Sequence, residues 1–137
     1  MDDLRGFASH LGDLLGFDML EWREGFARVR CAIHTHHLNR GGIVHGGVLM
    51  TLLDEVGAAA GVYAPIREQR RRSVTVSLNC QFTGRAQSGA MIATGIVARA
   101  GRNIYFSRSE VCNEAGELLA FGASTHRWNR ATAAESD

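Results

Sequence analysis

The feature that most constrains the fold of this chain is one long apolar segment, residues 45–63. It is long enough and apolar enough to form a buried helix. The only proline of the chain, Pro65, together with the residue before it, cannot easily continue that helix. Because an apolar helix must be covered by other elements, the rest of the chain is expected to pack around it.

Strand-like segments make up most of the remaining chain. Two lie before the apolar segment, at 17–22 and 26–36, and an amphipathic helix over 3–16 precedes them with Gly16 as its C-cap. After the apolar segment, glycines separate four predicted strands at 73–82, 90–99, 103–113 and 117–128. One long helix followed by an antiparallel meander predicts an α+β fold in which the sheet wraps around that helix.

Length and charge exclude several classes of protein. At 137 residues the chain is predicted to form one domain, residues 1–137, because cores rarely divide below about 250 residues. The net charge of +1 argues against a dedicated nucleic-acid binder. No segment has the ~18–20 uninterrupted apolar residues that a transmembrane helix needs, since Asp54 and Glu55 interrupt the segment 45–63. Since all fifteen basic residues are arginine, Schiff-base and P-loop lysines are excluded.

The start of the chain and its cysteines predict a cytoplasmic protein. The run Met1-Asp2-Asp3-Leu4 lacks the basic start and apolar centre of a secretory signal. Cys31, Cys80 and Cys112 lie in strand-like segments without metal-knuckle spacing. We therefore predict that they are buried free thiols in a reducing cytoplasm.

The start of the central helix, His45-Gly46-Gly47, carries the first chemical signal. Glycines at a helix start leave backbone N–H groups unobstructed, and these groups together with the helix dipole favour negative charge. An oxyanion or a polarised carbonyl would therefore be stabilised at this position.

A carboxylate, Asp54, interrupts the apolar helix. It lies on one helix face with small or mildly polar residues. This strip consists of Gly47, Thr51, Asp54, Ala58 and Gly61. Small residues would let another backbone approach, and the carboxylate is expected to be partly buried. Glu55 is rotated by about 100°, so the two carboxylates are not expected to serve one site. Taken alone, Asp54 could also be an ion-pair partner of an arginine.

Histidines and aromatic residues elsewhere give weaker signals. His34 and His36 would share a strand face and could hold a metal, but Cys31 falls on the opposite face, so no metal site is predicted. His126 ends a strand and is predicted to lie at an edge or on the surface. The pair Tyr105-Phe106 is predicted to belong to the core.

Two arginine-containing segments are candidates for phosphate binding. The run Arg67–Arg72 is predicted to be a solvated loop, with docking of coenzyme A phosphates as the alternative. Arg102 follows a glycine at a predicted hairpin corner and is the second candidate. No Gly-x-Ser-x-Gly motif is present, which argues against a nucleophile-elbow hydrolase.

The combination of these residues resembles a known family. The run Asn39-Arg40-Gly41-Gly42-Ile43-Val44-His45-Gly46-Gly47, followed by Leu49, Leu52 and Asp54, is similar to the hotdog-fold acyl-CoA thioesterases of the phenylacetate-pathway (PaaI-like) subfamily. In that family an asparagine stands six residues before His-Gly-Gly, and a carboxylate stands nine residues after the histidine. The resemblance extends from about residue 12 to residue 128, and includes the runs 74–79 and 101–106.

The resemblance implies a role for each matching residue. Asp54 would activate the hydrolytic water or attack the thioester itself, and the Gly46 N–H would polarise the thioester carbonyl. Asn39 and His45 would shape this site, and Thr75 matches a serine or threonine that orients the water.

The resemblance also implies residues that bind the substrate, and this chain differs from the family pattern at one position. Gly47, Arg102 and Asn103 are candidates for binding the acyl-CoA, and neither a cofactor nor a metal is implied. Some hotdog thioesterases carry a threonine one turn after the carboxylate, where this chain has Ala58. This difference favours the variant that uses the strand hydroxyl of Thr75.

The spacing of His45 and Asp54 predicts a site shared between subunits. Nine residues of helix separate them by about 13 Å, so one thioester carbonyl is not expected to touch both within a chain. One of the two would come from a second subunit of a homo-oligomer, either a dimer or a tetramer built from dimers.

Two other functions remain open at this stage. A hotdog hydratase or dehydratase also uses a histidine and a carboxylate, but its motif carries prolines around the histidine, and Pro65 is the only proline here. A non-catalytic acyl-CoA-binding module would keep the pocket without needing Asp54.

Overall fold

The computed structural model describes residues 9–130, in which one long helix packs against a six-stranded sheet. The helices are α1 (His10–Leu15) and α2 (Gly46–Val62). The strands are β1 (Phe17–Arg23), β2 (Phe26–Ala32), β3 (Ser73–Phe82), β4 (Ala90–Ala100), β5 (Ile104–Asn113) and β6 (Leu118–Trp128). They lie in the order β1-β2-β4-β5-β6-β3, and every neighbouring pair is antiparallel. The predicted α+β fold is confirmed.

The first predicted helix is confirmed only in part. It was predicted over 3–16, and the structure shows it from His10 to Leu15, while residues 1–8 lie outside the described residues. Gly16 ends it with a φ of 81°, a left-handed conformation that favours glycine.

The predicted strand at 26–36 is too long. Strand β2 ends at Ala32, and the chain then makes a 3-10 turn at Thr35–His37. The prediction that His34 and His36 share a strand face is therefore wrong. Their rings stack instead on this turn, with centroids 5.6 Å apart.

Helix α2 forms the core with the inner face of the sheet. Its leucines Leu49, Leu52 and Leu53 are buried, as is Val56. A side chain at Gly95 of β4 would collide with the Val56 carbonyl, so glycine allows this strand to pack directly on the helix backbone.

The edge strand β3 is largely exposed. It pairs on one side only, with β6, and its apolar side chains Val74, Val76 and Phe82 are exposed. Such an edge offers free backbone hydrogen-bonding groups to another strand.

Among the described residues, neither helix has the length and apolar composition that crossing a bilayer would require.

Two predictions about burial are correct only in part. The three cysteines are free thiols, but only Cys31 is buried, while Cys80 and Cys112 are half-buried. Tyr105 is fully buried as predicted, whereas Phe106 is 46% exposed because successive side chains of β5 point to opposite faces.

Candidate active site

The structure joins Asp54 to Thr75. Asp54 lies in the middle of α2 and is half-buried, and Thr75 lies on the neighbouring edge strand. The Thr75 hydroxyl donates a hydrogen bond of 2.7 Å to Asp54 Oδ1. Within residues 9–130 the other carboxylate oxygen has no partner, and Asp54 makes no ion pair with arginine. The ion-pair alternative for Asp54 is therefore not supported.

A β-bulge directs Thr75 towards the helix. The pairing of β3 with β6 shifts register between Thr75 and Ser77, so Val76 is the additional residue. As a result Thr75 and Leu78 both face α2 and the core although they are three residues apart. Bulges commonly re-aim side chains beside functional sites.

His126 lies directly behind Thr75, and its prediction as an edge or surface residue is wrong. It is fully buried, because β6 is an interior strand between β5 and β3. Its Nδ1 is 3.1 Å from Thr75 Oγ1, and its Nε2 is 2.7 Å from Ser124 Oγ. Burial lowers the pKa of His126, and the charge of Asp54 opposes that effect in part.

One signal in the sequence could have identified His126. Ser124 and His126 are two residues apart on a strand, so they share a face, and Ala120 is on this face as well. Because side chains alternate between the two faces of a strand, an inward-facing Ala120 would have predicted that Ser124 and His126 also face the core.

The His45 side chain caps the N-terminus of α2. His45 Nδ1 accepts a hydrogen bond of 2.8 Å from the Gly47 N–H, and the His45 side chain is exposed. Among the described residues the Gly46 N–H has no acceptor. The Phe82 ring lies next to Gly46, about 3.5 Å from where a Cβ would be. The helix therefore presents one free N–H donor beside an aromatic ring.

Asn39 organises the loop before the helix. Its Oδ1 accepts hydrogen bonds from the N–H groups of Gly41, at 2.9 Å, and Ile43, at 3.3 Å. This Asx-type turn fixes the loop, and it leaves the side-chain NH₂ group without a partner within residues 9–130.

The sequence-predicted site residues thus form two separate groups. Thr75 contacts Asp54 in the middle of α2, while Asn39, His45 and Gly46 lie at its start. The two groups are about 13 Å apart along the helix axis. The structure of one chain does not bring them together.

The strip of small residues on α2 is only partly open. Gly61 lies under the Tyr105 ring, and its carbonyl accepts a hydrogen bond from Trp128 Nε1. The end of the strip is therefore covered by the same chain, whereas Gly47 and Thr51 remain half-exposed. A second backbone could approach only the first half of the strip.

A cavity of about 400 Å³ opens beside Asp54. Its lining also includes Glu55, and the expectation that the two carboxylates do not serve one site stays a prediction. Burial raises the pKa of Glu55, the hydrogen bond from Ser9 opposes this rise, and the charge of Asp54 adds to it. Arg71 and Arg72 line the same cavity.

The arginine run before β3 is less uniform than predicted. Most of it is exposed, but the Arg70 guanidinium stacks on the rings of Trp22 and Tyr63, at 4.5 and 4.7 Å. Arg71 stacks on Trp128 at 4.5 Å. These contacts fix part of the segment against the fold.

The other phosphate candidates lie in the turn between β4 and β5. The Gly101 N–H donates to the Ile104 carbonyl at 2.7 Å, which closes the turn. Arg102 and Asn103 are exposed on it, and the Asn103 carbonyl accepts from the Trp128 N–H at 3.0 Å.

The histidines near 34–37 have a structural role. His37 is fully buried, its Nδ1 accepts from the His34 N–H at 2.9 Å, and its Nε2 lies 2.7 Å from the Leu15 carbonyl. Within residues 9–130, no three histidine, cysteine or carboxylate side chains are grouped to hold a metal ion.

Comparison with known proteins gives consistent matches. Residues 41–120 match the sequence profile of the thioesterase superfamily. The chain is 28% identical to human acyl-coenzyme A thioesterase 13 over 95 residues, which cover 68% of this chain and 66% of that protein.

Two solved structures are similar over most of their length. A conserved protein of Pseudomonas aeruginosa superposes with a TM-score of 0.82 and 28% identity, over 93% of this chain and all of that one. The E. coli PaaI protein from the phenylacetic acid degradation operon gives a TM-score of 0.80 and 24% identity, over 89% of this chain and 86% of that one.

Proposed function

Because the chain belongs to the thioesterase superfamily, we propose that it hydrolyses an acyl-CoA thioester to a free acid and coenzyme A, as a PaaI-like hotdog enzyme. The observation that carries this proposal is the contact between Thr75 and Asp54. It leaves one carboxylate oxygen of a half-buried aspartate open to a water molecule or a thioester. The match to an acyl-coenzyme A thioesterase supports the choice of substrate.

Asp54 supplies the reactive carboxylate. As a general base it takes a proton from water while the water oxygen bonds to the thioester carbon. The C–S bond then breaks, and the proton on Asp54 passes to the sulfur of the departing coenzyme A. As a nucleophile, the same oxygen would bond to the carbonyl carbon and the C–S bond would break, which releases the coenzyme A thiolate and leaves an anhydride. Water would then hydrolyse the anhydride, which frees Asp54 and supplies the proton that the thiolate takes up. Thr75 orients Asp54 in either case.

The start of α2 supplies the oxyanion site. The Gly46 N–H has no acceptor among the described residues and lies at the positive end of the helix dipole, so it can donate to the thioester oxygen as charge develops. The Asn39 amide group, in the loop that leads into the helix, would be a second donor. His45 fixes the backbone of the first turn through Gly47.

Two subunits complete one site in this proposal. The separation of Asp54 from Gly46 requires that the oxyanion donors come from a partner chain. The exposed edge strand β3, which carries Thr75, offers a surface for that partner. The homo-oligomer is a dimer or a tetramer built from dimers.

Exposed arginines bind the phosphates of coenzyme A. Thr75, His126 and Tyr105 lie side by side on the paired strands β3, β6 and β5. Arg102 and Asn103 precede Tyr105 by three and two residues, on the turn that contacts the end of β6. Arg102 makes no ion pair within residues 9–130. Its guanidinium is therefore available to a phosphate.

A thiol-release assay over a panel of acyl-CoAs tests the function. Aromatic and aliphatic acyl groups of increasing length are compared, with a thiol reagent that reports free coenzyme A. We expect hydrolysis of at least one member by the wild type and a loss of about 10²-fold in Asp54→Asn. Binding of acyl-CoA without turnover by the wild type would instead indicate the non-catalytic module.

A further inference from the structure

The buried pair His126 and Ser124 has no part in the function proposed above. Both ring nitrogens of His126 are within hydrogen-bond distance of a hydroxyl, and the ring stacks on Tyr105 with centroids 4.9 Å apart. Histidine is an unusual residue in a core unless its polar atoms are satisfied. Here one of those atoms faces the hydroxyl that contacts Asp54.

We propose that His126, held by Ser124, is a positioning residue that fixes the Thr75 hydroxyl in the orientation that donates to Asp54. This inference rests on the proposed role of Asp54 in thioester hydrolysis. His126 itself is fully buried and does not touch the substrate. It acts only through Thr75.

The proton count decides the direction of these hydrogen bonds. Thr75 has one hydroxyl proton, and an ionised Asp54 can only accept. The proton of Thr75 therefore points to Asp54, and its oxygen must accept from His126. Consequently His126 carries its proton on Nδ1, and its Nε2 accepts from the Ser124 hydroxyl. All three hydrogen bonds run in one direction, from Ser124 to Asp54.

Loss of the hydrogen bond from His126 would leave the Thr75 hydroxyl free to rotate. Thr75 is exposed on an edge strand, and no other described residue hydrogen-bonds its hydroxyl besides Asp54 and His126. Without the donor behind it, the hydroxyl could turn to solvent, and Asp54 would lose the contact that orients its free oxygen. The effect would fall on turnover rather than on the binding of coenzyme A.

Substitutions at position 126 can separate positioning from simple packing. In His126→Asn the side-chain nitrogen can occupy the place of Nδ1 and still donate to Thr75. In His126→Gln the amide lies further out, in the place of Nε2, and in His126→Leu no donor remains. If the ring only fills space, the three variants should rank by packing and not by the position of the donor.

The decisive experiment is a double-mutant cycle with Thr75→Val. Turnover is measured on the acyl-CoA that the wild type hydrolyses best, and thermal unfolding confirms that each variant is folded. We expect His126→Leu and His126→Gln to lower kcat by about 10- to 100-fold at nearly constant KM, with His126→Asn retaining more activity. In the Thr75→Val background, His126→Leu should change kcat by no more than about two-fold. If the fold-losses in kcat of His126→Leu and Thr75→Val multiplied in the double variant, the two residues would act independently and the proposal would be overturned.

A spectroscopic measurement keeps this proposal separate from the proposed function. The ¹⁵N NMR shifts of the His126 ring identify which nitrogen carries the proton. We expect protonation at Nδ1 in the wild type at neutral pH, and loss of that preference in Thr75→Val. A ring protonated at Nε2 in the wild type would overturn the positioning role even in an active enzyme. Inactivity of the wild type on every acyl-CoA would overturn the hydrolytic function, whatever the tautomer.

Discussion

Gly57 and Ser124 touch across the contact between α2 and β6. A Cβ added to Gly57 would lie 2.7 Å from Ser124 Oγ and 3.3 Å from His126 Nε2. The glycine in the middle of this helix therefore makes room for the buried pair behind Thr75.

We predict that Gly57→Ala destabilises the protein although alanine is the better helix former. The gain in helix propensity is about 1 kcal/mol, whereas overpacking against Ser124 costs about 1–3 kcal/mol. Thermal unfolding should show a lower Tm, and kcat should fall because His126 moves. In the double variant Gly57→Ala/Ser124→Ala the Tm should recover in part. An unchanged Tm in the single variant would contradict the close contact.

Asp54→Asn should lower turnover by at least about 10²-fold, because the amide can neither accept the proton of water nor attack the thioester. The binding of acyl-CoA should survive, which equilibrium titration can measure. Glu55→Gln is the matched control, since Glu55 lines the same cavity one residue along the helix. If Glu55→Gln were the inactive variant and Asp54→Asn the active one, the assignment of the reactive carboxylate would be wrong.

Arg102→Ala should raise KM for acyl-CoA more than it lowers kcat. A phosphate contact far from the thioester stabilises the ground state and the transition state equally. The effect should be smaller on a short thioester that lacks the nucleotide. Arg108→Ala is the control, because Arg108 is also exposed but faces the opposite side of the sheet from the core. Equal losses on both substrates would indicate that Arg102 supports folding.

Two inactive variants should restore activity when they share a dimer. In a mixed dimer of Asp54→Asn and Asn39→Ala, one site collects both defects and the other collects neither. Random exchange makes about half of the dimers mixed, so roughly a quarter of all sites should be active. The two proteins are refolded together in equal amounts and assayed for thioester hydrolysis. If mass spectrometry shows mixed dimers and no activity appears, each site is built within one chain.

Stability should decrease in mild acid because of His37. Burial lowers the pKa of His37 below its value in the unfolded chain, the hydrogen bond to Leu15 opposes this, and the neighbouring His36 and His34 lower it further. The unfolded state then binds more protons, so the stabilisation is complete above about pH 6.5 and is lost as the pH falls through the folded-state pKa. His37→Gln should be less stable at pH 8 but show a flatter decline in unfolding free energy between pH 7 and 5. An identical decline in both proteins would exclude His37 as its source.

Several features of the site could be predicted because they depend on short stretches of sequence. The helix from Gly46 to Val62 follows from the length and apolar composition of one segment, and the helical spacing of small residues places Asp54 on a half-buried face. The strand that carries Thr75 was also located correctly, at Ser73–Phe82. Its bulge at Val76 was not predicted, because a bulge is defined by pairing with another strand.

The sequence by itself determined the elements, their order and the two groups of candidate site residues, because each of these is set by neighbours within a few turns or a few strand residues. Only the tertiary structure decided that β6 lies between β5 and β3, which buries His126 and places it 3.1 Å from Thr75, 51 residues away in the chain. The tertiary structure also decided that position 57 has no room for a side chain, because Ser124 packs against it. Strand pairing and helix packing join distant residues, and no local pattern of apolar and polar side chains specifies which distant residues meet.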